Sequence, residues 1–429
     1  MGKVIEYPQL KEKFYHYSTK PGLNIYVLPR WEYFNKYAVY AINYGSNDNE
    51  FLLPGKKNAV KAPEGIAHFL EHKMFEEENG NAFDQFGRWG GQANAYTNFT
   101  TTAYLFYSTH NFHENLDILL SFVNHPYLTE ENVEKEKGII AQEIRMYEDN
   151  PESRVFFNVL QALFHCHPIR NDIAGTIESI AKIDKQILMQ CYHAFYQPQN
   201  MILFATGSVE PEKVFQQTEK FFSGMPISRK RNIKRIKVRE PNYIKRSEIR
   251  ERLDVPVPLF ALGFKDSQIG LKGRELLHKT VVTEICLELL AGKASELYDF
   301  LYEEGLINLN FYISYTGEED YGFSLISGES PKPEKVRSYI FHALDNIKNR
   351  GISETDFIRV KRNLKGDFIQ RLDSLEFVAH SFINHIFKEI SLFDRLKVLE
   401  SISEEDIMAR FEDHFCHDNA SLSVILPNR

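Results

Sequence analysis

The strongest constraint on the fold is an internal echo. Ile177 opens the run IESIAKIDKQILMQCYHAFYQPQNMILFATG, and Leu399 opens LESISEEDIMARFEDHFCHDNASLSVILP. Each reads as a helix with apolar residues at helical spacing, then a polar turn holding Asn200 or Asn419, then a hydrophobic strand. A second pair keeps the same order. Residues 111–124 (NFHENLDILLSFVN) and 333–347 (PEKVRSYIFHALDNI) have the pattern of amphipathic helices. Each is followed by a turn and a helix opening on a capping-box pattern, Thr129-Glu-Glu-Asn132 or Ser353-Glu-Thr-Asp356, although Asp356 replaces the usual Glu or Gln. Strand signals at 36–45 and 103–108, rich in β-branched and aromatic residues, flank these helices. The order of elements fits an α+β chain of two homologous domains, each a mainly antiparallel sheet with helices packed on one face. The length of 429 residues also exceeds what one ordinary core supports.

The break between the halves falls in the basic stretch 228–252 (SRKRNIKRIKVREPNYIKRSEIRER), which reads as a solvated linker. The expected organisation is therefore a first domain at 1–227, a linker at 228–252 and a second domain at 253–429. Despite that stretch, 59 acidic residues outweigh 51 basic ones for a net charge of -8, against a nucleic-acid partner. No apolar run has the length of a signal peptide or a membrane span. Cys166, Cys191, Cys286 and Cys416 are far apart and form no C-x-x-C pair, so the expected compartment is the reducing cytoplasm.

Chemistry concentrates in Pro63-Glu-Gly-Ile-Ala-His68-Phe-Leu-Glu71-His72. On a helix, His68 and His72 stand four apart on one face, where their imidazoles can converge on one ion, and Glu71 lies beside them. Neutral imidazoles and carboxylates suit zinc, and a catalytic zinc needs a third protein ligand and an open position. Candidates lie in Glu134-Lys-Glu136-Lys-Gly-Ile-Ile-Ala-Gln-Glu143, where Glu136 and Glu143 are one heptad apart and share a helix face with apolar residues such as Ile139 and Ile140 nearby. A carboxylate on a partly apolar face is unusual unless paired or coordinating. From the residues alone, either could be the ligand.

The H-x-x-E-H segment with its downstream glutamates resembles the inverted zinc motif (inverzincin) of the pitrilysin, insulin-degrading enzyme and mitochondrial processing peptidase family. The resemblance covers essentially the whole chain, including Gly90-Gly-Gln-Ala-Asn94-Ala-Tyr-Thr97, His167-Pro168 and Gly175-Thr-Ile-Glu-Ser-Ile. In length it is similar to the bacterial two-domain members. It implies one Zn2+ per chain on His68, His72 and Glu143, with Glu136 supporting the site from outside the ligand set. It also implies that Asn94, Ala95, Tyr96 and Thr97 form a substrate-binding edge strand, and that the two domains make half of a clamshell that dimerises around a chamber. The interval from His72 to Glu143 is shorter than the family commonly shows, which is read as a trimmed loop.

The activity so implied is that of a zinc endopeptidase on short or unfolded peptides, with Glu71 as general base. The alternative is a non-catalytic scaffold subunit that has kept its zinc site. The second half lacks H-x-x-E-H, reading Glu-Ile-Cys-Leu-Glu-Leu-Leu at 284–290. Where many relatives carry a substrate-clamping arginine and tyrosine, this chain has Tyr302 and Asn308 with one residue fewer between them. A paralogous partner supplying that clamp, or a homodimer, is the expected assembly.

Overall fold

A computed structural model describes residues 2–78, 80–223 and 233–428. The part of the basic stretch at 228–232 lies outside the described residues. The chain divides into two compact units. The first comprises Met1–Ile144, Asp172–Lys237 and Leu372–Asn384, and the second Arg145–Asn171, Val238–Arg371 and His385–Arg429.

The first unit is built on a seven-stranded sheet in the order Lys3–Tyr7, Glu12–Ser18, Asn24–Pro29, Met201–Gly207, Lys36–Ile42, Thr102–Ser108, Gln92–Thr97. Every pair is antiparallel except Asn24–Pro29 with Met201–Gly207. The second unit holds five strands, in the order Glu248–Leu253, Ala420–Pro427, Leu259–Lys265, Gly322–Glu329, Tyr312–Gly317. Here too a single pair, Glu248–Leu253 with Ala420–Pro427, is parallel. The five strands match the last five of the first sheet one for one. The echoed strands Met201–Gly207 and Ala420–Pro427 occupy the same place, each entered through a 3-10 turn, Pro198–Asn200 or His417–Asn419.

The echoed helical runs are broken where capping residues interrupt them. Thr176 caps the short helix Ile177–Ile180 and Asp184 caps Lys185–Phe195. Asp394–Ser401 and Glu404–His414 are likewise separate, the latter opened by a Ser403–Asp406 box. At Thr129 the reciprocal bonds form, with Thr129 Oγ1 accepting from Asn132 N and Asn132 Oδ1 from Thr129 N. At Ser353 only the hydroxyl accepts, because the Asp356 carboxylate is drawn to Arg359 Nη2 at 2.9 Å.

One face of the first sheet carries the repeated helices: Tyr104 meets Phe122 and Tyr196, and Phe106 meets Phe112 and Phe86. The other face is apolar as well and must also be covered. Its cover is the helix Leu375–Ile386, whose Phe382 packs on Phe14, Tyr26 and Phe204. The second sheet is treated alike by the helix Pro151–Leu163. Val159 and Leu163 come within 2.8 Å of where a Cβ on Gly263 would stand, a closeness only glycine allows. Each unit thus takes one helix from the other half of the sequence. No helix among the described residues is long and apolar enough to cross a membrane.

Candidate metal centre

The helix Ile66–Met74 starts from Gly65, at φ 86°, where a Cβ would meet Ala174 O at 2.3 Å. It is buried on nearly all sides, with Phe69 and Leu70 inaccessible. Every ionisable group on it therefore needs a partner. Partners come from the helix Glu130–Glu148, which buries Val133, Glu136, Ile140 and Ile144. Ile139 is not part of that face; it is 46% exposed, one residue past the heptad stripe.

These two helices bring together three of the residues expected at the metal. His68 Nε2 lies 3.6 Å from Glu143 Oε1 and His72 Nε2 lies 3.5 Å from Glu143 Oε2. These contacts are too long for good hydrogen bonds. They suit ligands of a shared ion, since a tetrahedron with arms of ~2.0–2.1 Å has edges of about 3.4 Å. Ligand atoms of the three residues all lie within 4.8 Å of one another, the one such grouping of His, Cys, Asp or Glu among the described residues. Burial and the neighbouring His72 pull His68 down to about 3, so its imidazole is neutral, as a ligand must be. The residues present fit a zinc ion.

The two histidines are supported differently. His72 Nδ1 is 3.1 Å from Glu136 Oε1, which leaves Nε2 to face Glu143. Burial lowers His72, but the bond to Glu136 and the charges of Glu71 and Glu143 raise it above the ordinary value. His68 Nδ1 is buried with no hydrogen-bond partner among the described residues.

Glu71 is 8% exposed, and its Oε2 accepts a 2.7 Å bond from Thr97 Oγ1. Burial lifts its carboxyl to about 6, the Glu143 charge adding to the rise and the Thr97 bond and His72 opposing it. Thr97 ends the strand Gln92–Thr97, which pairs with Thr102–Ser108 on one side and closes the sheet order on the other. Its alternation sends Ala95 and Thr97 toward the metal helix and Asn94 and Tyr96 to the opposite face. Asn94 Oδ1 accepts from Ala95 N at 2.8 Å. Tyr96 Oη is 3.1 Å from His380 Nδ1, and His380 Nε2 is 3.0 Å from Tyr37 Oη.

Sequence reasoning missed three things here: the Thr97 hydroxyl on Glu71, His380 on Tyr96, and the burial of Lys73 beside Glu136. A lysine inside the apolar run after His72 was the only visible signal. In the second unit, Glu284 pairs with Arg395 at 2.5 Å on the helix Gly273–Ala291. Tyr302 is 48% exposed and stacks on Tyr298, and Asn308 donates to Glu329 Oε2 at 2.6 Å.

Residues 55–177 match the insulinase (peptidase family M16) family model, and residues 182–364 match that of the peptidase M16 inactive domain. The chain is 41% identical over 428 residues to a Bacillus subtilis protein named as the uncharacterized zinc protease YmfH, covering 100% of both chains. It is 22% identical to the beta subunit of the mitochondrial-processing peptidase of Neurospora crassa, over 87% of this chain and 81% of that one. The structure of an M16-like peptidase from Alicyclobacillus acidocaldarius superposes with a TM-score of 0.95 at 34% identity, covering 99% and 100% of the two chains.

Proposed function

The chain belongs to the M16 (insulinase) peptidase family, and on that footing we propose that it is a zinc-dependent endopeptidase that hydrolyses short or unfolded peptides. One observation carries the proposal: His68, His72 and Glu143 converge within 4.8 Å while Glu71, buried on the same helix, has a carboxyl lifted to about 6. His68, His72 and Glu143 would hold the zinc, which when bound would supply Lewis acidity to a peptide carbonyl and lower the pKa of its water toward about 7. Glu71 is placed to take the proton of the attacking water and to return it to the leaving amine. Thr97 fixes the direction of the Glu71 carboxylate through Oε2. The unpaired side of Gln92–Thr97 offers main-chain groups to an extended substrate, so binding depends weakly on side chains and favours unfolded peptides. Glu136 supports the site through His72 rather than as a ligand.

Among its described residues the second unit offers neither a zinc set nor a clamp: Asn308 is committed to Glu329 and Tyr302 to a stack on Tyr298. The catalytic subunit therefore works with a second one, a paralogous chain supplying arginine and tyrosine or another copy of itself. The beta-subunit name of the Neurospora relative supports such an assembly. Four free cysteines suit the cytoplasm as its compartment.

The test is cleavage of a quenched fluorogenic peptide library by the purified chain, alone and mixed with a paralogous chain, with and without chelator. Chelator-sensitive cleavage that disappears in Glu71→Gln, with zinc still bound, is the expected result. Zinc bound but no cleavage under any condition would leave a scaffold subunit and discard the peptidase.

A further inference from the structure

Lys73 follows the second histidine directly, and its side chain is 0% exposed. An ammonium so placed is costly unless ion-paired and hydrogen-bonded. Its Nζ lies 3.3 Å from Glu136 Oε2 and 2.6 Å from Glu76 Oε2. The other oxygen of the same carboxylate, Glu136 Oε1, faces His72 Nδ1 at 3.1 Å. The two oxygens of Glu136 are thus divided, one to the buried cation and one to the imidazole.

That division has a geometric consequence. A carboxylate held by a single hydrogen bond can swing about its terminal torsion, and the imidazole turns with it. Pinned from behind by Lys73, Glu136 presents Oε1 in one direction only. The Nδ1–H of His72 must then point at Glu136 and the Nε2 lone pair at the position shared with Glu143 and His68. His68 has no such support, since its Nδ1 is unpartnered among the described residues. Of the two imidazoles, that of His72 is therefore the one whose direction is set by an outer partner, and Lys73 is the outermost member of that branch. Glu76, in the two-residue strand Glu76–Glu77 that pairs with Gly80–Asn81, holds the other side of the ammonium.

We infer that Lys73 is a positioning residue for the metal centre, acting on His72 only through Glu136. The inference rests on the metal reading of the site but not on peptide hydrolysis, so its test reads zinc binding. The zinc dissociation constant is measured by chelator competition at fixed pH for the full chain and for Lys73→Met, Glu136→Gln and the double variant. Each single change is expected to weaken zinc binding by about 10–100-fold, the usual cost of losing an outer partner of a ligand. The double variant is expected to bind no more weakly than the weaker single one, because both changes interrupt one relay. Lys73→Arg, which keeps the charge, should stay within a few-fold of the parent. Should Lys73→Met fail to fold, Lys73→Ala, which also removes the donor to Glu136, takes its place in the cycle and in the criterion that follows.

A purely structural lysine would lower thermal stability in every background without this non-additivity in zinc affinity. Unchanged zinc affinity in Lys73→Met, or losses that multiply in the double variant, would overturn the inference. A parent chain that binds no zinc would overturn it together with the metal reading. A parent that binds zinc but cleaves nothing would discard only the peptidase proposal.

Discussion

Replacing Thr97 by valine isolates one contact in the site. Valine keeps the β-branched shape that suits a strand, and the backbone pairing of residue 97 with Thr102 is untouched. What disappears is the 2.7 Å bond from Oγ1 to Glu71 Oε2, together with a longer 3.3 Å contact to Thr102 Oγ1 that lies away from the reacting groups. A hydrogen bond to a charged group contributes about 1.5–3 kcal/mol net. Glu71 is 8% exposed, so little water is available to replace the lost donor. At about 1.4 kcal/mol per tenfold in rate, a base no longer held in direction should cost about 10–100-fold in kcat. KM should change little, because the main-chain edge of the strand remains. Zinc content should be unchanged, because Thr97 touches no ligand. The assay is steady-state hydrolysis of a fluorogenic peptide by the zinc-loaded protein, with bound metal quantified in the same samples. Thr97→Ser, which restores the donor, should recover activity to within a few-fold. A valine variant as fast as the parent would refute the reasoning, as would a loss matched by loss of zinc.

Other consequences can be measured independently. His380→Phe keeps a ring on Tyr96 but removes both hydrogen bonds, to Tyr96 and Tyr37; it should raise KM several-fold and leave kcat and zinc content near the parent values, checked by peptide titration. Glu143→Gln should weaken zinc by well over tenfold, and added zinc should no longer raise the melting temperature, as read by thermal shift. Glu240 accepts from the amides of His165, Cys166 and His167 and pairs with Lys265 at 2.6 Å. Burial alone would raise it, but these partners hold it at about 2, below the ordinary 4.5. Its contribution is therefore present above the ordinary value and lost as pH falls from 4.5 through 2. Glu240→Gln should cost about 3 kcal/mol at neutral pH by stranding Lys265, and the gap to the parent should narrow across that window in urea titrations.

Local periodicity carried much of this in the sequence. Residues four apart on a helix share a face whatever surrounds them, so the convergence of His68 and His72 follows from spacing alone. The heptad from Glu136 to Glu143 put both carboxylates on one stripe for the same reason. The echo at Ile177 and Leu399 carried the two-fold plan, because a strand buried on both faces keeps its apolar run in each copy.

Other features depend on what lies opposite, and periodicity encodes a face but not its partner. Either carboxylate could coordinate until the fold set Glu143 against both Nε2 atoms and Glu136 against Nδ1. Ile139 looked like part of the buried stripe and is exposed, because one residue turns a helix by about 100°. The helices Pro151–Leu163 and Leu375–Ile386 join units away from their sequence neighbours, since only the assembled sheets have a second apolar face to cover. Tyr96 meets His380 across 284 positions of sequence, and no local pattern links them. The burial of Lys73 is of the same kind: a lysine on a short helix is ordinarily solvated, and only packing on every side makes its charge something Glu136 and Glu76 must satisfy.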